Sequence, residues 1–367
     1  MLKAERRSFS LETGAAGQNV SAAYRGLLIC AIVVGHNRLI VGAWPLLFPL
    51  LYFWHVQGFF LEAAGRRSTA YFAKRRITDL MVRYLVPYTI FCGMAAGIAL
   101  LLGTGNVQTN LLPLAIWNGF AATCEQATGL SLFWFLPTFA SFSAILVLRA
   151  RIDMRNHALR KFADIFLAVL ALIVAVVPSD TWALFMPMGL LLAIYFVPLA
   201  LAWRVVDGLS GFYRKLAILL SAVIVIAQIH AIYSGERINV SLYELGIDVP
   251  NVLLTAAAVP AMALLVSTVV RYLPGQSILR VCGEYSIVIF LGHPFIQAPL
   301  TMIVGARLSS LGKAWQASAG FFIVFVSIGC CLVGAMMLER MPRLRAMVLP
   351  RDWASWRAAW IGPRPSV

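Results

Sequence analysis

Histidines inside apolar stretches are the residues of this sequence best suited to chemistry. His36, His55 and His293 each lie within a run of aliphatic and aromatic residues, where an ionisable side chain is costly and is by default a candidate for function. Imidazole can accept a proton from a hydroxyl near neutral pH, so each of the three is a candidate catalytic group. The alternative is a structural role, in which a hydrogen-bonded imidazole holds two helices together.

The spacing of Arg25 and His36 predicts that they share one face of a helix. At about 100° per residue, eleven residues turn through about 1100°, roughly 20° beyond three full turns, and rise about 16 Å. With Arg25 at the inner boundary of a hydrocarbon core about 30 Å thick, His36 lies near the middle of the membrane. Arginine can hold phosphate bidentately, so this stripe suits an anionic donor that reacts at a buried base. The alternative is that Arg25 only anchors the helix and His36 packs in a polar helix contact.

The segment 62–83 is the densest basic stretch of the chain. It carries Arg66, Arg67, Lys74, Arg75, Arg76 and Arg83. Such a patch beside a membrane can bind a phosphorylated or nucleotide-bearing donor by charge. The alternative, which this segment taken alone favours, is a loop that sets the orientation of the protein and is attracted to anionic lipid.

Transmembrane helices are needed to position these residues. The 367-residue chain is 61% hydrophobic and 12% charged, with a mean hydropathy of +0.83, whereas a soluble domain is about 45–50% apolar and about 25% charged. This composition excludes a disordered protein and predicts an all-α, polytopic bundle. Ten apolar runs are each suited to span a bilayer, at 23–43, 45–61, 84–103, 130–148, 162–178, 182–203, 216–233, 250–270, 285–303 and 318–338.

The distribution of basic residues predicts the orientation of the bundle. With the N-terminus inside, all but four of the 30 Lys and Arg residues fall in cytoplasmic segments, the exceptions being Arg38, Arg237, Arg307 and Lys313. Both termini are then cytoplasmic, and the net charge of +15 needs no nucleic-acid partner. The sequence divides into a cytoplasmic segment 1–22, a membrane domain 23–338 and a basic tail 339–367. The tail is predicted either to form a helix on the anionic leaflet or to be partly disordered.

Five stretches occur in an order that matches a known pattern: R-G-L-L-I-C-A-I-V-V-G-H at 25–36, Y-F-W-H-V-Q-G-F-F-L-E-A-A-G at 52–65, F-A-K-R-R-I-T-D-L-M-V-R-Y-L-V-P-Y at 72–88, L-F-W-F-L-P at 132–137 and G-E-Y-S-I-V-I-F-L-G-H-P at 283–294. Together they resemble the integral-membrane acyltransferase 3 family, and within it the sugar O-acetyltransferases of bacterial polysaccharides. The chain departs from the family pattern at Val56–Gln57, at Ala64 and at Asp79, where the family has proline, serine and the second member of an arginine pair.

The resemblance implies transfer of an acyl group, usually acetyl, from cytoplasmic acyl-CoA to a sugar hydroxyl at a bacterial inner membrane. The acceptor would be a cell-envelope or exported glycan, or a lipid-linked sugar. The family's arginine and histidine correspond to Arg25 and His36, and its basic loop to Arg75, Arg76 and Arg83. These arginines are expected to bind the phosphates of acetyl-CoA or another acyl-CoA, and no metal is expected.

The resulting hypothesis assigns a step to each histidine. His36, oriented by Asn37 or by another helix, deprotonates the acceptor hydroxyl, while His55 and His293 polarise the thioester or stabilise the oxyanion. An acyl-His36 intermediate is a variant of this scheme. Two other classes of function remain open at this point: a transporter or flippase of a lipid-linked sugar, and a receptor or scaffold without chemistry.

Overall fold

The computed structural model describes two main parts of the chain, the first predicted span and the C-terminal third. The described residues are 15–37, 39–40, 78, 82–83, 85–91, 93–94, 97, 158, 162, 165–166, 209, 211–233, 249–308 and 312–361.

The described residues form helices and connecting turns, with no strand among them. The bounded helices are α1 (Ala15–Gly35), α2 (Gly211–Tyr233), α3 (Val249–Tyr272), α4 (Gln276–Glu284), α5 (Ser286–Leu308), α6 (Lys313–Glu339), α7 (Pro342–Val348) and α8 (Trp353–Ile361). The predicted all-α class is confirmed for this part of the chain. The predicted spans 45–61, 130–148 and 182–203 lie outside the described residues, so the count of ten stays a prediction.

Helices α5 and α6 are each long and apolar enough to cross a membrane. They have 23 and 27 residues, and the most apolar windows within them have mean hydropathies of 1.8 and 2.6. At about 1.5 Å per residue, both exceed the thickness of a hydrocarbon core. The surface of α6 also exposes large aromatic side chains, with Phe322 68% and Phe325 78% accessible. Because soluble monomers rarely expose large contiguous apolar surface, this face fits contact with lipid.

Two glycines let α1 and α4 approach closely. A Cβ atom added at Gly26 would lie 1.7 Å from the carbonyl oxygen of Leu279, and one added at Gly283 would lie 1.8 Å from that of Ala22. Any larger residue would therefore collide with the backbone of the facing helix. Both glycines belong to the motifs identified above, and this contact supplies a physical reason for their position.

Helices α1 and α5 run in the same direction. Gly26 of α1 contacts Gly283 of α4. Ten residues further along each of the two segments, His36 contacts His293 of α5. The turn at Tyr285 barely interrupts the path from α4 to α5, because the N–H groups of Tyr285 and Ile289 still donate to carbonyls four residues earlier. Helix α6 runs back in the opposite direction.

The packing of α5 on α6 establishes that reversal. Gly292 faces the Sγ atom of Cys331, and the side-chain amide of Gln316 donates to the carbonyl of Leu308 over 3.2 Å. Helices α5 and α6 therefore pack antiparallel to each other. Helices α1, α5 and α6 correspond to the first, ninth and tenth predicted spans. Because successive spans alternate in direction, the first and ninth are expected to be parallel and the tenth antiparallel to them, as the structure shows.

The boundaries of α1 differ from the prediction. The apolar run predicts a span at 23–43, whereas the helix begins at Ala15 and ends at Gly35. The end is set by Asn37, which is 1% exposed. Its Nδ2 donates to the carbonyl of Gly320 over 3.1 Å, and its Oδ1 accepts from the N–H of Leu39 over 2.9 Å. A tertiary contact, rather than a change in hydropathy, stops the helix.

The described part of the tail is helical. Asp352 accepts a hydrogen bond from the N–H of Ser355 over 2.7 Å, which caps α8. The Nε atom of Arg343 in α7 donates to the carbonyl of Ala359 in α8 over 3.2 Å, which ties the two helices together. Of the two predictions for the tail, the helical one is confirmed here, and its place on the lipid leaflet stays a prediction.

Candidate active site

His36 and His293 meet directly at the contact between α1 and α5. The Nδ1 atom of His36 lies 3.2 Å from the Nε2 atom of His293. The ring planes are 9° apart and their centroids are separated by 5.3 Å. Because the nitrogens are much closer than the centroids, the rings meet edge to edge in nearly one plane. The two imidazoles therefore form a hydrogen-bonded pair.

The backbone of α5 fixes which nitrogens carry hydrogen. The Nδ1 atom of His293 lies 2.9 Å from the carbonyl oxygen of Ile289, which can only accept, so Nδ1 is the protonated nitrogen. When His293 is neutral, its Nε2 is then an acceptor, and the Nδ1–H of His36 donates to it. This leaves the Nε2 lone pair of His36 available to a reacting group. The assignment follows from hydrogen-bond partners and not from observed hydrogens.

The sequence around His293 explains its rigid placement. His293 is 0% exposed and sits one residue before Pro294 within α5. Proline has no N–H, so the helix loses the donor that would bond the carbonyl of Phe290. The Phe290 ring also packs near the imidazole, at a centroid distance of 6.3 Å. Packing and the bond to Ile289 together hold His293 as a support for His36.

His36 lies just beyond the last residue of α1 but keeps helical geometry. Its N–H donates to the carbonyl of Ile32 over 3.1 Å, so the predicted one-face relation with Arg25 remains. The next amide breaks the pattern, because the N–H of Asn37 donates to Val34 rather than to Val33. The orphaned carbonyl of Val33 instead accepts from the side-chain amide of Gln297 over 3.3 Å.

Comparison with known families assigns the chain. The acyltransferase 3 family model, described as an acyltransferase domain, matches residues 23–338, which is most of the chain and includes both histidines. The chain belongs to the acyltransferase 3 family. Comparisons with curated proteins and with solved structures give no significant match.

Membership of the acyltransferase 3 family establishes an acyltransferase and confirms the resemblance inferred from the five motifs. Proteins of this family are membrane proteins, in agreement with the span-forming properties of α5 and α6.

Arg25 lies at the crossing of α1 with α4, next to Gly26. Its side chain is partly buried, and its buried Nε atom has no hydrogen-bond partner within the described ranges. A guanidinium nitrogen is strongly polar, and leaving one buried and unbonded is costly. Arg25 is thus a charged group with unused donor capacity, about 16 Å along α1 from His36.

The other predicted residues fall in less completely described parts of the chain. Arg83 is helical and exposed, and it follows the buried Val82. His55, Arg75 and Arg76 lie outside the described residues, so their part in the site stays a prediction.

Nearby residues show how the third predicted span reaches this region. Tyr88 is fully buried, and the ring of Phe91 packs against Phe295 of α5 at 5.9 Å. The segment that follows the basic loop therefore lies against the helix that carries His293.

Two polar residues on the face of α5 that carries His293 were not predicted from the sequence. Gln297 and Thr301 follow His293 at intervals of four residues, a spacing that places all three on one face of α5. The spacing is visible in the sequence, but neither side chain is ionisable, so the cost of placing charge in an apolar run does not mark them as functional.

Of the two groups expected to orient His36, Asn37 or another helix, the structure shows the second. His36 bonds His293 of α5, whereas Asn37 bonds Gly320 and Leu39, as described above. Glu284 lies 3.7 Å from Arg280 on its own helix.

Proposed function

We propose that this protein is a membrane O-acyltransferase that moves an acyl group, in the first instance acetyl, from cytoplasmic acyl-CoA to a hydroxyl of a cell-envelope or exported glycan. The observation that carries the proposal is the hydrogen-bonded pair of His36 and His293 within a chain of the acyltransferase 3 family. A partly buried imidazole with one nitrogen held by a second imidazole and the other available is suited to general-base chemistry.

In the proposed reaction, Nε2 of His36 removes the proton from the acceptor hydroxyl as its oxygen attacks the thioester carbonyl. The new C–O bond forms, the C–S bond breaks, and the proton passes from His36 to the departing sulfur of coenzyme A. The Nδ1–H of His36 stays bonded to His293 throughout and stabilises the imidazolium form while it exists. In this scheme His293 acts as a positioning residue, instead of polarising the thioester or stabilising the oxyanion.

Arg25 supports the donor half of the proposal. Its unbonded buried Nε and its permanent charge suit a phosphate group of acyl-CoA. Arg75, Arg76 and Arg83 of the basic loop are proposed to bind the remaining phosphates, and His55 remains the candidate for stabilising the oxyanion. The distance from Arg25 to His36 lets an extended donor arm connect the two.

The charge distribution supports the proposed cellular arrangement. The basic segments favour both termini and the donor site at the cytoplasmic face of a bacterial inner membrane, with the acceptor glycan or lipid-linked sugar reaching His36 from the opposite side.

The proposal is tested by acetyl transfer in isolated membranes. Membranes that contain the wild type or His36→Ala receive radiolabelled acetyl-CoA and candidate glycans, and label in the glycan fraction is measured. We expect transfer only with the wild type, while both proteins are inserted in equal amounts and melt at similar temperatures. Equal labelling by the two proteins would contradict the proposal. Export of glycan without consumption of acetyl-CoA would favour a transporter instead.

A further inference from the structure

We infer that Gln297 and Thr301 form the acceptor subsite of the enzyme and that they select an uncharged hydroxyl compound. The inference rests on the proposed function, because it takes His36 as the base that the acceptor must reach. Both side chains lie on the α5 face that carries His293, and each buries a polar atom that has no hydrogen-bond partner among the described residues.

Gln297 presents an unused acceptor. The residue is 1% exposed, and its Nε2 donates to the carbonyl of Val33. Because a carbonyl can only accept, this bond fixes the orientation of the amide. Its Oε1 is then the buried atom that finds no partner in the part of the chain that the structure describes. A buried carbonyl oxygen of this kind costs free energy unless a ligand donates to it.

Thr301 departs from the behaviour of similar hydroxyls in this protein. The hydroxyls of Thr89, Thr268, Ser318 and Ser327 each donate to the carbonyl four residues earlier on their own helices, at 2.7–2.9 Å. This is the usual way to satisfy a hydroxyl within a helix. The Oγ1 atom of Thr301 is buried and makes no such bond.

The position of the two groups separates them from the donor site. Val33 lies one helical turn before His36, so the Gln297 amide that bonds it is close to the histidine pair. Since α1 and α5 run in parallel, Gln297 and Thr301 follow His293 in the direction away from Arg25. Acyl-CoA would reach His36 from the Arg25 end, and the acceptor from the Gln297 end.

The chemistry of the two groups limits the acceptor. A carboxamide oxygen accepts one or two hydrogen bonds from O–H groups, and a threonine hydroxyl can both donate and accept. Neither carries charge, so they match the neighbouring hydroxyls of a neutral sugar better than a phosphate or carboxylate, whose burial needs a compensating charge.

The test compares steady-state kinetics of purified enzyme in lipid nanodiscs, with neutral methyl hexopyranosides as acceptor probes and acetyl-CoA as donor. Thr301→Val is expected to raise the KM for the glycoside about tenfold, the effect of one lost hydrogen bond. Gln297→Met, which also removes the donor to the Val33 carbonyl, should raise it at least as much. Thr301→Ser, which keeps the hydroxyl, should retain the wild-type KM. The KM for acetyl-CoA should change less than the KM for the glycoside, because the donor is proposed to reach His36 from the opposite end.

The controls separate a subsite from a structural role. Ser327→Ala removes a buried hydroxyl that already bonds Ile323, and it should leave the KM for glycoside unchanged. The Thr301 variants do not touch the bond between Gln297 and Val33, so they report on acceptor binding alone. An unchanged glycoside KM in Thr301→Val, or an equal loss in every kinetic constant of both variants, would overturn the inference.

Failure of the proposed function gives a different result. If the wild type hydrolyses acetyl-CoA in a His36-dependent manner but acylates only charged sugars, the donor half of the function stands and the inference is wrong. If acetyl-CoA is not consumed at all, both are wrong.

Discussion

At the residue scale, the proposed chemistry depends on a chain of three hydrogen-bonding groups. The carbonyl of Ile289 holds His293, and His293 holds His36. Each link fixes the tautomer of the next ring, so the nitrogen available to substrate is Nε2 of His36. This order resembles the general arrangement in which a third group orients a catalytic base.

Replacing His293 should therefore lower turnover without weakening binding of the donor. In His293→Ala, His36 loses the partner that selects its tautomer, and we expect kcat to fall roughly 10- to 100-fold, less than the full effect of a missing base. The KM for acetyl-CoA should stay near the wild-type value. A changed KM with unchanged kcat would place His293 in donor binding instead.

Replacing Arg25 should give the opposite pattern. Arg25→Gln removes a charge-assisted contact to phosphate, worth about 1.5–3 kcal/mol, so we expect the KM for acetyl-CoA to rise at least tenfold with a smaller change in kcat. Arg307→Gln, which removes an exposed cation from the far end of α5, is the matched control and should have no effect. Unchanged donor KM in Arg25→Gln would exclude it from the donor site.

Part of this arrangement of residues can be predicted from the sequence. Helical arithmetic alone predicts that Arg25 and His36 share a face, because both lie on one continuous element. The bond between His36 and His293 joins residues 257 positions apart, and no local periodicity reports such a contact.

At the element scale, the site depends on the crossing of α1 and α4. Gly26 and Gly283 bring the two backbones together ten residues before His36 and His293. The short turn at Tyr285 continues that alignment into α5. The distance between α1 and α5 at the histidines is thus set by the absence of side chains at the crossing.

A methyl group at Gly26 should disturb both stability and activity. Gly26→Ala places Cβ within contact of the Leu279 carbonyl, so the helices must separate. Overpacking of this kind costs about 1–3 kcal/mol, and we expect a lower melting temperature together with loss of transfer activity. Gly334→Ala in α6, where a Cβ meets no atom of the described residues within 4 Å, is the matched control and should melt at least as high as the wild type. Equal behaviour of the two variants would contradict the close crossing.

The end of α1 shows where sequence reasoning stops at this scale. The apolar run continues past His36, so hydropathy predicts a helix to residue 43. The buried amide of Asn37 instead bonds Gly320 of α6 and turns the chain. When a contact with another helix determines where a helix ends, the local composition does not predict that end.

At the scale of the whole molecule, the relative directions of α1, α5 and α6 are consistent with the topology predicted from the distribution of basic residues. Helices α1 and α5 run in parallel and α6 returns, so α4 lies near one end of the bundle and the start of α6 near the other. Composition alone predicted helices and membrane insertion, since both depend on bulk hydrophobicity. The packing order of the spans could not be predicted, because every span is similarly apolar.

Labelling from one side of the membrane tests this orientation. In a variant in which the six cysteines are replaced, single cysteines are introduced at the exposed positions Ser277 on α4 and Ala314 on α6. An impermeant maleimide should label Ala314→Cys in intact cells, and Ser277→Cys only after permeabilisation. Labelling of both positions from the same side would contradict the predicted topology.

The most direct test of the central claim is a double-mutant cycle on the kcat of acetyl transfer. If His36 is the base and His293 acts only through it, His36→Ala lowers kcat by roughly 10²- to 10⁴-fold, and adding His293→Ala lowers it no further. We predict equal residual rates for the single His36 variant and the double variant. Losses that multiply in the double variant, or full activity in His36→Ala, would contradict the account.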